Sequence, residues 1–273
     1  MKTILLHVDD DAGLDSRLEA ALTVVRLLDG HLTCSQPSTV ANLVGERYPV
    51  ANWDDGGVVG DIVHAAAQQA DALEDRIEAR LDGEGISWSW RRCALGAVQA
   101  LVEESVLADL IVVSAPDEDH HPEIARAFVG EVALSAGAPV FTVPTGFENF
   151  DPAGPVMVAW DGSIEATRTV RSSIALLKRA AAVHLVTVGT SMRRGFDVAQ
   201  SKAYFDLLGL AVDVAAIEKQ GRTTDSLIAK ASDIGATYIV MGAYGHSRLR
   251  EAVFGGVTRA MLGQDRFPLL MHH

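Results

Sequence analysis

Cys34 and Cys93 are the only cysteines in 273 residues. Two thiols are too few for a disulfide scaffold or a four-thiolate metal centre, and they read as reduced structural residues of a reducing cytoplasm. Positive charge is also scarce. Lys and Arg total 23 against 36 Asp and Glu, a formal net charge of -13, so a nucleic acid or an acidic membrane surface is repelled on average. No run approaches the roughly 18 apolar residues of a bilayer span. The opening MKTILLHVDDD meets three aspartates by residue 11 and has neither the apolar region nor the cleavage site of a secretory leader. Catalytic signatures are missing as well: there is no GxxxxGKS/T phosphate loop, no HExxH zinc pair, no GxSxG elbow, and no GxGxxG fingerprint of a dinucleotide site.

What is present is ordinary globular composition, 48% hydrophobic and 22% charged, in a length that predicts two domains at roughly 150 residues each. Short β-rich apolar runs alternate with longer helical patterns throughout, which predicts an α/β fold of parallel strands joined by crossover helices. The first copy reads as strand 2–8, a helix from Leu14 whose apolar residues recur through Leu18, Leu22, Val25 and Leu28, a C-cap at Gly30, and strand 31–35. Residues 37–60 read as a long loop. Helix 62–81, strand 86–91, helix 97–105, strand 109–114, helix 124–136 and strand 139–143 complete five strands. Residues 144–155, PTGFENFDPAGP, break both kinds of element and predict a linker.

The order then repeats: strand 155–160, helix 164–182, strand 183–188, helix 198–208, strand 212–217, helix 225–234, strand 237–242, helix 248–262 and strand 267–271. Asp9 and Asp161 both follow a first strand, ADLIVVSA parallels ATYIVMGA, and GAPVFTV parallels QDRFPLLM. A repeat of about 150 residues is a duplicated domain, far longer than a solenoid period. The expected boundaries are domain one at 1–144, a linker at 145–155 and domain two at 156–273.

In an open parallel sheet, ligands bind beyond the carboxyl ends of the strands where the strand order reverses. After the fourth strand of the second copy come Gly242, Tyr244 and Gly245, then nine residues, then Gly255, Gly256, Val257 and Thr258. Such glycines either form packed β–α turns or free main-chain N–H groups to approach a polyphosphate. Asp161 can take hydrogen bonds from an adenine amino group or a ribose hydroxyl, and it or Ser163 can cap the following helix.

With VAWDGS after the first strand, MGAYGHSRLREAVFGGVT after the fourth and FPLLM at the end, the chain resembles the universal stress protein family in its tandem form. The resemblance implies two doubly wound, five-stranded, Rossmann-like domains. It implies ATP, with Mg²⁺, in the second domain on glycines that match Gly242, Gly245 and Gly255. Gly256 stands where the family prefers a hydroxyl, which leaves only a backbone donor there, and Thr258 resembles a further phosphate contact. Ala159, Asp161 and Val188 resemble adenosine-contacting positions, and Met241 a residue packed near the base. His246 adjoins the cradle and reads as a surface histidine or as a donor to a γ-phosphate, with Arg248 and Arg250 solvated on the helix or adding positive charge. The resemblance also implies that the last strands, PVFTV and FPLLM, pair within the chain as a pseudo-dimer, with further homo-oligomers open.

The first copy departs from this pattern. It has Ser114, Ala115, Pro116, Asp117, Glu118, Asp119, His120 and His121 where the cradle would lie, and acids repel phosphate. Asp9 and Gly130 survive. DEDHHPE reads as a solvated acidic loop or a metal loop. The expected function is that of a stress-response protein with ATP in domain two as a regulatory ligand and an unidentified protein partner. A nucleotide-free interaction scaffold and a slow adenosine-nucleotide hydrolase are the alternatives.

Overall fold

The structure, a computed structural model, describes residues 1–38, 58–117, 121–189, 198–245 and 256–273. The first half runs β1 (Thr3–His7), α1 (Leu14–Leu28), β2 (His31–Pro37), α2 (Val58–Leu81), β3 (Ser87–Cys93), α3 (Ala97–Glu104), a 3₁₀ turn (Ser105–Leu107), β4 (Leu110–Ser114), α4 (Pro122–Ser135) and β5 (Val140–Val143). The second runs β6 (Val156–Ala159), α5 (Ile164–Leu177), β7 (Val183–Val188), α6 (Val198–Leu207), β8 (Asp213–Ile217), α7 (Thr223–Asp233), β9 (Tyr238–Gly242), α8 (Gly256–Leu262) and β10 (Leu269–His272). Among the described residues no helix is long and apolar enough to cross a membrane.

All ten strands join one sheet in the order β3-β2-β1-β4-β5-β10-β9-β6-β7-β8. Each half is parallel within itself. The central strands carry unbroken apolar runs because both their faces are covered: Leu110, Ile111, Val112 and Val113 of β4 are buried, as are Tyr238, Ile239, Val240 and Met241 of β9. Helices α1, α2, α5 and α6 supply the core on one face, while α3, α4, α7 and α8 supply it on the other. In each half the strand order reverses between the first and fourth strands, β1 and β4 or β6 and β9.

The halves meet where β5 and β10 pair antiparallel, Phe141 opposite Leu270. PVFTV and FPLLM therefore do associate within one chain. Phe141 lies 5.1 Å from the Phe150 ring and 6.0 Å, edge-on, from Tyr238. One aromatic from the first half, one from the connecting segment and one from the second thus share a single cluster.

Two local expectations are corrected. The left-handed residue ending α1 is Asp29 (φ 49°), not Gly30. Gly30 is required by close approach, because a Cβ there would stand 2.9 Å from the Lys2 carbonyl oxygen. Helix α5 stops at Leu177 rather than continuing to 182. Its last turn tightens as Arg179 and Ala180 donate to Leu176 and Leu177, three residues back, and the Ala181 N–H is taken by the Ala153 carbonyl at 2.7 Å. A tertiary hydrogen bond thus overrides the helical propensity of the alanine run. Smaller differences occur at α2, which begins at Val58, and at β2, which continues to Pro37. Of the expected 37–60 loop, residues 39–57 lie outside the described residues, as does the 248–255 part of the last helix.

Phe141→Ala removes from the seam the ring that meets both Phe150 and Tyr238. It is expected to cost about 3–5 kcal/mol, read as a lower midpoint in equilibrium urea unfolding; a loss below about 1 kcal/mol would show that the cluster is not what joins the halves.

Candidate functional site

In the second half, Trp160 follows β6 as an anchor: its buried indole packs edge-on against Phe205 at 5.2 Å and donates through Nε1 to Ser201 Oγ at 3.1 Å. The chain then turns through Asp161 and Gly162 (φ 72°) into α5. Ser163, not Asp161, is the cap, accepting the Ala166 N–H on Oγ at 3.1 Å. Asp161 Oδ1 accepts the Ser163 N–H at 3.0 Å, and Oδ2 has no partner among the described residues. The carboxylate is exposed at the carboxyl end of the strand, where a ligand group can reach it.

The glycines after β9 meet α5 directly. A Cβ on Gly242 would lie 2.5 Å from the Ala166 nitrogen and 2.8 Å from the Glu165 carbonyl carbon, so the helix's first turn requires glycine at that position. A Cβ on Gly245 would lie 2.8 Å from Glu165 Oε2. Gly245 is exposed, and its N–H donates to nothing among the described residues. Between them Tyr244 holds a left-handed backbone (φ 56°) and is buried. Burial pushes its phenol up to about 12. Its N–H donates to Thr258 Oγ1 at 3.3 Å, so this hydroxyl braces the loop. Ala243 is clamped by the last residues, donating its N–H to the His272 carbonyl at 3.0 Å and accepting from His273 Nδ1 at 3.0 Å. The buried hydroxyl of Thr169 contacts the carbonyls of Glu165 and Met241 and the His272 N–H, fastening α5 to β9 and β10.

The structure thus brings Asp161, Gly242 and Gly245 to the two ends of the first turn of α5, with Thr258 bound to the intervening loop. Ala159 and Val188 end β6 and β7, both half-buried. Met241 is core, paired with Ala159 on one side and Met271 on the other. Gly256 opens α8 with open space around its Cβ position, and Val257 is exposed. His246, Arg248, Arg250 and Gly255 lie outside the described residues. Sequence reasoning missed Glu165, whose carboxylate lies against Gly245. Its only signal was an acid in the first turn of the helix that Asp161 introduces.

The equivalent crevice of the first half is filled from within. Arg17, the fourth residue of α1, is fully buried. Its Nε donates to the His7 carbonyl at 2.7 Å, Nη2 to the Asp9 carbonyl at 2.7 Å, and Nη1 to Ser114 Oγ at 2.7 Å and to the Asp11 carboxylate. One guanidinium thereby ties together the ends of β1 and β4. Gly13 leaves room for it, since a Cβ there would stand 2.3 Å from Ser114 Oγ. Burial, and secondarily the Arg17 charge, lower the His7 pKa to about 3. Burial and then the Asp11 charge raise that of Asp9. The signal for Arg17 was available: it lies three residues after Leu14 and four before Ala21, on the apolar stripe of α1. Residues 118–120 of the acidic loop lie outside the described residues, and among the described ones no three His, Cys, Asp or Glu side chains gather as a metal site.

No protein-family model and no curated protein matches the sequence. Solved structures match its fold. A universal stress protein from Archaeoglobus fulgidus has TM-score 0.77 at 16% identity over 99% of this chain and 95% of its own. A putative universal stress protein from Pseudomonas aeruginosa UCBPP-PA14 has TM-score 0.58 at 18% identity over 100% and 93%. A functionally unknown protein from Pseudomonas aeruginosa PAO1 has TM-score 0.59 at 17% identity over 100% and 92%. The chain therefore has the α/β fold of two-domain universal stress proteins.

Arg17→Met strands two carbonyls and the Asp11 carboxylate and is expected to destabilise the protein by about 3–5 kcal/mol in urea unfolding. An unchanged midpoint would refute the bracing role. His7 predicts a pH dependence. Its folded pKa of about 3 lies below the unfolded value of 6.5, so as pH falls below 6.5 the unfolded chain takes a proton that the folded one refuses. Stability is lost at about 1.4 kcal/mol per pH unit. Between pH 7 and pH 5, His7→Leu should lose about 2 kcal/mol less than the parent protein; equal losses would exclude His7 as the cause.

Proposed function

We propose that the chain is a tandem universal stress protein that binds ATP at the β6/β9 crevice of its second half and uses occupancy as a regulatory signal. The supporting observation is the contrast between the two switch points. In the first half a buried guanidinium occupies the place where a ligand would sit. In the second, the fourth residue of α5 is Thr167, whose hydroxyl donates to the Ser163 carbonyl at 2.8 Å, and among the described residues the crevice has no such internal cation. The Gly245 N–H then faces outward as a donor for a phosphoryl oxygen, and Asp161 Oδ2 is open to a ribose hydroxyl or an amino group. The fold shared with universal stress proteins supports the same reading.

Glu165 sets a condition on it. A carboxylate against Gly245 repels bare triphosphate, so these residues fit a nucleotide that carries a divalent cation. Mg²⁺ would neutralise phosphate charge there, with Asp161 and Glu165 as the nearby acids. Turnover is disfavoured by the described residues. The Tyr244 phenol, pushed up to about 12, stays protonated at neutral pH and cannot act as a base. The His273 ring nitrogen Nδ1 is committed to the Ala243 carbonyl. Regulation then requires ATP to bind two conformations unequally, and the loop from Gly242 to Gly245, braced on α8 and on the last strand, is the element it would bias. The alternative of a nucleotide-free scaffold is favoured by one observation, that packing against α5 already accounts for Gly242.

Calorimetry with ATP and Mg²⁺, beside ATP with a chelator, tests the proposal. Saturable binding that needs the metal is expected, weakened about tenfold or more by Asp161→Ala, with Glu165→Gln reducing the metal requirement. No heat and no rise in melting temperature at millimolar ligand would support the scaffold instead.

A further inference from the structure

The other face of the first half carries a cavity that the nucleotide reading does not use. It measures about 310 Å³ and lies between the strands and the end of α3. Thr3, Thr33, Arg91 and Cys93 line it from the sheet, and Glu103 and Glu104 line it from the helix. Leu107, in the 3₁₀ turn beyond α3, stands at the rim with 77% of its surface exposed.

The internal repeat provides a control. Aligning β1 with β6 and following the registers outward places Arg91 where the second half has Ala215, and Cys93 where it has Ile217. Ala215 and Ile217 pack against a core that includes Leu227 and Ala231 of α7, an eleven-residue helix. In the first half the corresponding helix α3 has eight residues and runs on as the 3₁₀ turn to Leu107. Arg91 and Cys93 stand where the second half has apolar side chains, and space remains between the sheet and the helical segment.

The lining groups have unmet bonding capacity. Arg91 is exposed and makes no hydrogen bond or ion pair among the described residues, whereas Arg92, on the opposite face of the same strand, is paired with Asp71 and Glu74. Glu104 has one carboxylate oxygen, Oε2, sealed from solvent without a donor. Glu103 has one oxygen on the Gln99 amide at 3.1 Å, and its other oxygen has no partner among the described residues. A guanidinium takes a carboxylate in a two-point fork, while adjacent carboxylates take an ammonium group. Two acids against one guanidinium repel a phosphate dianion. The volume is at the small end of ligand pockets, and Leu5, Leu107 and Ala108 supply carbon surface.

We propose that this cavity binds a free aliphatic amino acid, its carboxylate on Arg91, its ammonium on Glu103 and Glu104, and its side chain against Leu107. The proposal does not depend on nucleotide binding in the second half.

The test is calorimetry of the full chain with L-leucine, L-isoleucine and L-valine, with L-leucine methyl ester and N-acetyl-L-leucine as controls lacking one charge each. Saturable binding of at least one free amino acid is expected. It should weaken about tenfold or more for both controls, in Arg91→Ala and in Glu103→Gln/Glu104→Gln. Arg91 is exposed and unpaired, so Arg91→Ala should keep the parent melting temperature. The proposal is overturned by an absence of saturable heat for all three up to about 10 mM, by equal binding of the controls, or by undiminished binding in Arg91→Ala.

Discussion

The antiparallel pairing of β5 with β10 is the constraint on which the rest of the architecture depends. Without it each half would be a five-stranded parallel sheet with its last strand bare on one side, an edge of unpaired N–H and C=O groups. With it, both last strands become interior, and Val140, Phe141, Leu269, Leu270 and Met271 are all buried. The seam also fixes the two switch points relative to each other. It brings α4 and α8 close enough for Arg259 to pair with Glu123 at 2.7 Å across the halves. Tyr244, in the glycine loop of the second crevice, lines the same small cleft as Glu123 and Arg259.

The two crevices are related by duplication and differ by electrostatics. In the first, β1 is followed by Asp9, Asp10 and Asp11; Arg17 answers the Asp11 carboxylate from within the crevice, and Arg76 of α2 answers that of Asp10. In the second, Gly162 and Ser163 make a shorter turn, and among the described residues no guanidinium is drawn in and the charges beside the crevice are the carboxylates of Asp161 and Glu165. On the proposed reading, a crevice braced by its own guanidinium has less room for a ligand, whereas one with carboxylates beside an unbonded amide suits a cation and an anion together.

Much of this organisation was legible in the amino-acid sequence. Strands buried on both faces read as apolar runs, so β4 and β9 were found to within a residue, and the family resemblance implied the paired last strands. The turn residues were less legible because one residue type serves several physical ends. Gly30 looked like a helix cap, yet it is glycine because β1 passes too close for a Cβ. Gly242 looked like a phosphate contact, and packing against α5 is enough to require it. Thr258 looked like a phosphate ligand, and its oxygen braces Tyr244. Arg17 and Glu165 were overlooked because a charge on a helix ordinarily faces water. Only the three-dimensional approach of β4 to α1, or of the glycine loop to α5, gives these charges a partner or a neighbour.

The segment between β5 and β6 has one further consequence. Phe150 sits in the aromatic cluster, while Gly146 (φ 72°) and Asn149 (φ 58°) bend the chain around it, so the two copies are tethered at the surface they share. Separate subunits would associate according to mass action, with like-with-like pairs competing against mixed ones. A covalent tether fixes the stoichiometry at one of each whatever the protein concentration. Under that arrangement the copies are free to diverge, because a substitution that blocks one crevice never produces a particle in which both are blocked.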